Sequence, residues 1–271
     1  MDHADNQGKR ERSYLMDFSL SGFLAILGRA IMASQSDWDV SASAWIASMG
    51  EHGDWARQYV IDPALDHHLS NAGFRKALDV GCGEGRLCRK LQQFGTNTVG
   101  IDPTAALIEE AKRRDHSGEY HVASAEKLPF NNASFDLVVS CLSLIDIPDI
   151  AAAISEMVRV LAPGGTLLIV NLTSFNTAGA EIGWQKNSAG EKQHYPVDQY
   201  MTERAFKIML SSDVSVTNHH RPLSRYMQLL LEQGLILEAF DEPQPIIQDG
   251  PRVDGYIRAP WFNLMKWKKP F

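Results

Sequence analysis

Cysteine is scarce. The 271 residues hold three, Cys82, Cys88 and Cys141, an odd number without metal-ligand spacing. That excludes a disulfide framework, gives no basis for a metal site, and fits a reducing, cytoplasmic setting. A surplus of basic charge is also missing. Lys and Arg number 26 against 33 Asp and Glu, a formal net charge of −7, and the pI is about 5.7. Affinity gained by neutralising nucleic-acid phosphates is thereby excluded as the main theme, and no nucleic-acid partner is expected. The longest apolar run, 15–32, is broken by Asp17 and Arg29, whereas a membrane span needs about 20 apolar residues. Lys9-Arg10-Glu11-Arg12 precedes it as in a secretory leader, but no small-residue cleavage site follows, so no membrane partner is expected. Neither a G-x-S-x-G elbow nor a phosphate-binding P-loop occurs, which removes those hydrolase and nucleotidase chemistries. Internal repeats and Gly/Pro-rich linkers are absent too.

What is present suffices for a full core: 44% hydrophobic and 22% charged residues. Residues 1–31, with four acidic and four basic side chains, read as a helical arm or an extension ahead of a start at Met32. Residues 32–271 read as a single domain. The stretch 33–73, carrying Trp38, Trp45 and Trp55, is expected to be helical up to Asp62-Pro63. From Lys76 a new rhythm begins. Strands are expected at 77–80, 98–101, 120–123, 135–142 and 166–170, and helices at 85–94, 103–114 and 150–161, the last stopped by Pro163-Gly164-Gly165. This alternation predicts an α/β fold with a doubly wound, mostly parallel sheet. The rhythm breaks over 171–222, an insertion after strand five, and resumes over 223–271 with a helix at 223–233 and strands at 236–240 and 261–267.

The turn Gly81-Cys82-Gly83-Glu84-Gly85 lets backbone approach a ligand and aim N–H groups at it. Asp102 closes the next strand, where a carboxylate can take both hydroxyls of a ribose. Together with Gly100-Ile101-Asp102, Ala125-Glu126-Lys127-Leu128-Pro129-Phe130, Ser134-Phe135-Asp136-Leu137-Val138 and Arg159-Val160-Leu161-Ala162-Pro163-Gly164-Gly165, this segment resembles the class I S-adenosylmethionine-dependent methyltransferases over the core 76–170. The resemblance implies a Rossmann-like seven-stranded sheet with an antiparallel last strand, and S-adenosylmethionine as cofactor, leaving as S-adenosylhomocysteine. It places Gly81, Cys82 and Gly83 beside the methionine part of the cofactor and Asp79 at its ammonium group. Asp102 and Pro103 fall at the ribose, Ala125 and Glu126 at the adenine, and Cys141 near the methyl-donor sulfur. Ser124 stands where the family often has an aspartate. Where many relatives carry histidines after strand four, this chain reads Leu144-Ile145-Asp146-Ile147-Pro148-Asp149, so a base is sought elsewhere.

The insertion offers Trp184, Tyr195, Tyr200 and Arg221 as substrate-binding candidates, and His194, His219 and His220 as candidate bases. Its charges balance, five acidic against five basic, and aromatic walls with a few polar groups suit a small, flat acceptor. The expected activity is methyl transfer to an oxygen, nitrogen or carbon of a small molecule, by a monomer or homodimer. The alternatives are a methyltransferase acting on RNA or protein, and a cofactor-binding regulatory protein without catalysis.

Overall fold

Short runs of Leu, Val and Ile form the sheet at the centre of the computed structural model, which describes residues 36–70, 72–250 and 252–271. The expectations for residues 1–31 and for a start at Met32 lie outside the described residues. The strands are β1 (Lys76–Val80), β2 (Asn97–Asp102), β3 (Glu119–Val122), β4 (Phe135–Cys141) and β5 (Leu161–Leu172). These five pair in parallel, and the full seven-stranded order is β10-β11-β5-β4-β1-β2-β3. Strands β10 (Ile236–Asp241) and β11 (Phe262–Lys268) complete it, with β11 antiparallel to both of its neighbours. Pro163-Gly164-Gly165, expected to precede the strand, lies inside β5, whose pairing with β4 shifts register between Phe135 and Leu137.

Successive side chains on a strand face opposite ways, so each central strand feeds two cores. On one face Leu78, Val80, Val138, Leu167, Ile169 and Trp267 pack against α5 (Ile150–Val160) and α7 (Leu223–Glu232). On the other, Ala77, Leu137, Val139, Leu168, Val170 and Leu264 meet α2 (Asp62–Leu69), α3 (Arg86–Gln93) and a π-helical turn, Arg57–Ile61. Helix α4 (Ala105–Arg114) lies against β2 and β3. α1 (Asp37–Met49) packs instead on β9 (Val214–His220), one link between the chain ahead of the sheet and the insertion.

The insertion is ordered. It contains α6 (Ser174–Gly179), the hairpin β6 (Gln185–Lys186) and β7 (Lys192–His194), and the hairpin β8 (Arg204–Ser211) and β9 (Val214–His220). A last short helix, α8 (Val253–Arg258), precedes β11.

Candidate cofactor and acceptor site

The glycine turn leaves β1 with Gly81 and Gly83 in the left-handed region, φ +78° and +55°. The two glycines serve different ends. A side-chain carbon on Gly81 would lie 2.3 Å from the Ser143 Cβ, so its bareness admits the loop after β4. Ser143 secures that contact by donating its hydroxyl to the Val80 carbonyl at 2.6 Å. Nothing lies within 4 Å of the corresponding position on Gly83, which faces open space. A ligand's close approach to backbone is therefore available at Gly83.

Asp102 is buried at the end of β2. Its Oδ2 accepts from the Gly83 amide at 3.0 Å and its Oδ1 from the Thr104 amide at 2.9 Å. Each oxygen keeps a further lone pair, so the carboxylate can accept from two ribose hydroxyls as well. Burial, the strongest influence, raises its pKa, opposed by those two amides. Pro103 is exposed beside it, at the rim. Asp79 lies beneath the turn; burial pushes its pKa up to about 7, and the Cys88 thiol donates to its Oδ2 at 3.7 Å. A buried carboxylate so placed is complementary to an ammonium group. Ala125 is buried and Glu126 part-exposed, with the Ser124 hydroxyl donating to the Glu126 carboxylate. Cys141 is part-buried at the end of β4, where burial raises its thiol pKa to about 11.

Cys82 departs from expectation. Its side chain turns into a small core with Cys88, Ile108, Ala111 and Tyr120, and its amide is already bonded to the Ile101 carbonyl at 2.9 Å. The residue shapes the turn, with neither thiol nor N–H free for a ligand.

Two arginines that sequence reasoning passed over stand at this cleft. Arg86, opening α3, pairs with Asp62 at 2.7 Å and lowers the pKa of both Asp79 and Cys141. Arg57 lies over the Trp45 ring at 5.0 Å and acts on Cys141 and Asp146. No local pattern announces either one; each arrives through packing of the segment ahead of β1.

The insertion residues prove mainly structural. His220 is fully buried, its Nδ1 2.7 Å from the Thr177 hydroxyl and its Nε2 2.8 Å from the Tyr200 carbonyl. With both ring nitrogens engaged it has no free lone pair for a substrate proton, which argues against its expected role as base. Arg221, expected at the substrate, is buried and donates to the carbonyls of Leu144, Ile147 and Pro148 at 3.2, 2.7 and 2.9 Å. Tyr200 packs its ring on His220, and its hydroxyl accepts from the Leu223 amide. Trp184 and Tyr195 belong to an aromatic cluster with Phe175 and Trp261, and the Tyr195 hydroxyl donates to the Asn176 carbonyl at 3.0 Å. His194 is exposed on the β6–β7 hairpin. His219 is part-buried and its backbone amide bonds the Ile145 carbonyl at 2.7 Å, so of the three histidines it alone borders the loop after β4. Burial lowers its pKa, keeping the imidazole neutral.

Comparison with known proteins places this geometry. Residues 78–169 match the family described as methyltransferase domain. The malonyl-[acyl-carrier protein] O-methyltransferase of Enterobacter lignolyticus is 30% identical over 148 residues, 55% of this chain and 57% of that one. The chloroplastic tocopherol O-methyltransferase of Arabidopsis thaliana is 35% identical over 125 residues, 42% of this chain and 35% of that one. The chain spans about half the length of the curated relatives it matches. Among solved structures, the S-adenosylmethionine dependent methyltransferase of Mesorhizobium loti superposes with a TM-score of 0.67 at 27% identity, over 76% of this chain and 96% of that one. The open cradle at Gly83, the doubly accepting Asp102 and the buried Asp79 fit the chemistry of S-adenosylmethionine, with its ribose hydroxyls and ammonium group. The chain therefore carries a class I S-adenosylmethionine-dependent methyltransferase domain, with residues 78–169 as its matched core.

Proposed function

We propose that the whole protein transfers the methyl group of S-adenosylmethionine to an oxygen, nitrogen or carbon atom of a small organic acceptor. The observation that carries this reading is the clamp formed by Arg221 and the His219 amide, which fastens β9 over the loop at the carboxyl end of β4. In doubly wound sheets that end of the strands is where ligands sit. A site roofed by a charge-balanced insertion admits a compact molecule more readily than a polyanion.

Bound there, S-adenosylmethionine supplies an electrophilic methyl carbon on a sulfonium. This chain's residues do the rest. Asp102 holds the ribose hydroxyls, Asp79 faces the ammonium group, Arg57 and Arg86 offer positive charge for the carboxylate, and the roof keeps the acceptor aligned and shielded from water. The test is calorimetry with S-adenosylmethionine and S-adenosylhomocysteine, followed by transfer of labelled methyl to separated small-molecule, protein and RNA fractions. Label in the small-molecule fraction supports the proposal. Label confined to protein or RNA makes the acceptor macromolecular, and cofactor binding without any transfer makes the protein a binder.

A further inference from the structure

Asp146 lies in the loop after β4 that sequence reasoning dismissed as a source of a base. Its carboxylate is met from two sides. The Trp38 indole N–H on α1 donates to Oδ2 at 3.1 Å, and the Asn218 amide on β9 donates to Oδ1 at 2.5 Å. The backbone around it is equally fixed. Carbonyls of Leu144, Ile147 and Pro148 are taken by Arg221, that of Ile145 by the His219 amide, and the Asp146 amide bonds the Ser143 carbonyl at 2.9 Å. Every residue flanking Asp146 is thus tied down, while Asp146 itself stays part-exposed.

This arrangement is costly for a purely structural carboxylate. Among the described residues no cation pairs with it directly, and its two hydrogen-bond donors are neutral, so its charge is only weakly compensated. The charged groups acting on it are Asp102 at the end of β2, which opposes its ionisation, and Arg57 on the π-helical turn, which favours it. Asp39 on α1 acts on Asp102, whose pKa it raises. α1 and β9 present Trp38 and Asn218 to the carboxylate itself, and His219, next to Asn218, is held neutral by burial. Burial outweighs the rest and lifts the pKa to about 7, where a carboxylate takes up and releases a proton near neutral pH.

We propose that Asp146 is the proton acceptor of the methyl transfer, and that the acceptor molecule is therefore one that gives up a proton, a hydroxyl, amine or acidic C–H, and not a carboxylate. The inference rests on the methyl-transfer reading above and narrows its substrate class. The acceptor's lone pair, or for a C–H acceptor the pair left as its proton departs, forms the new bond to the methyl carbon as the carbon–sulfur bond breaks, its electron pair staying on sulfur. The acceptor's proton passes to an Asp146 oxygen, and from there to solvent after the product leaves. A carboxylate acceptor has no proton to lose and would meet Asp146 as a like charge, so methyl-ester formation is disfavoured here.

Three measurements test this. In the protein alone, tryptophan emission followed against pH is expected to show a transition with a midpoint near 7, through the Trp38 bond, that Asp146→Asn abolishes. An identical transition in that variant overturns the assignment. With labelled S-adenosylmethionine and a panel of matched small hydroxyl, amine and carboxyl compounds, products are treated with alkali, which releases methanol from methyl esters and leaves ethers and N- or C-methyl groups intact. Alkali-stable label supports the inference and alkali-volatile label overturns it, whatever happens to any variant. Asp146→Asn is expected to bind S-adenosylhomocysteine within about threefold of wild type yet turn over roughly 10²–10⁴-fold more slowly, without the loss of rate below neutral pH that wild type shows. Full turnover, or loss of cofactor binding, makes Asp146 structural. Cofactor binding by wild type with no transfer to any compound overturns the methyl-transfer reading itself, and this inference with it.

Discussion

At the scale of single residues, the two aspartates proposed to meet the cofactor differ in their surroundings. Asp102 already accepts two backbone amides, so its removal costs the ribose contact and loosens the turn at Gly83. Asp102→Ala is expected to lower S-adenosylmethionine affinity at least about tenfold, equivalent to 1.4 kcal/mol, with circular dichroism unchanged; isothermal calorimetry reads the loss. Asp79, with a pKa near 7, is about half protonated at neutral pH before it meets a cationic ligand. Binding an ammonium group favours the ionised form, so cofactor binding near pH 6.5 should release a proton and affinity should rise between pH 6 and 8. Calorimetry in buffers of different ionisation enthalpy detects that proton, and Asp79→Asn should abolish both effects. Of the residues proposed for these roles, Asp79, Gly83 and Asp102 were legible as candidates because the resemblance to the family's motif marks them by spacing from a strand end. Arg57, Arg86 and Asp146 were not, because their placement depends on packing between segments that lie far apart in sequence.

At the scale of elements, the insertion shows what periodicity hides. The stretch 171–222 reads as irregular because β6 and β7 are short and β8 is mostly exposed. Only β9 alternates cleanly, with Val214, Val216, Asn218 and His220 inward. That alternation also decides between the paired histidines. Neighbours on a strand face opposite sides, so burying His220 against Thr177 and Tyr200 leaves His219 at the loop after β4. His220→Ala is therefore expected to act on stability. It strands the Tyr200 carbonyl and leaves the Thr177 hydroxyl only its 3.3 Å bond to the Ser174 carbonyl, at a cost of about 1–3 kcal/mol, visible as a lower denaturant midpoint. His220→Asn, which can bond at least one of those groups, should recover part of the loss. A base role would show instead as lost turnover at unchanged stability. The sheet strands and their helices were readable because continuous apolar runs buried on both faces leave little choice of element.

At the scale of the whole molecule, two carboxylates set how stability depends on pH. Asp79 and Asp146 both have pKa values near 7, above the ordinary carboxylate value of 3.8, so the folded state holds protons that the unfolded chain has released. Each carboxylate therefore penalises folding progressively as pH rises from about 4 to 7, and fully above that, with a limiting slope of about 1.4 kcal/mol per pH unit. Asp79→Asn and Asp146→Asn should each gain thermal stability relative to wild type over that window, the difference levelling off above neutrality. Melting curves across pH without cofactor test this. Saturating cofactor should shrink the Asp79 difference, because the bound ammonium stabilises the ionised form.

The position of β11 bears on how the chain assembles. It follows β10 in sequence yet lies between β10 and β5, so β10 can join the sheet only through β11. Its pairing with β5 links Leu172 to Phe262 and Thr166 to Lys268, contacts that must wait for the insertion and α7 to be spanned. Such long-range closure is slow in folding because the entropy of the intervening chain is lost before the pairing repays it. The strands β1 to β5 can collapse first as a parallel half-sheet with β5 as an open edge, and the hairpin of β10 and β11 then docks as one unit and covers that edge. Pulse-labelled hydrogen exchange during refolding would then show β10 and β11 amides becoming protected together, after those of β1 and β4.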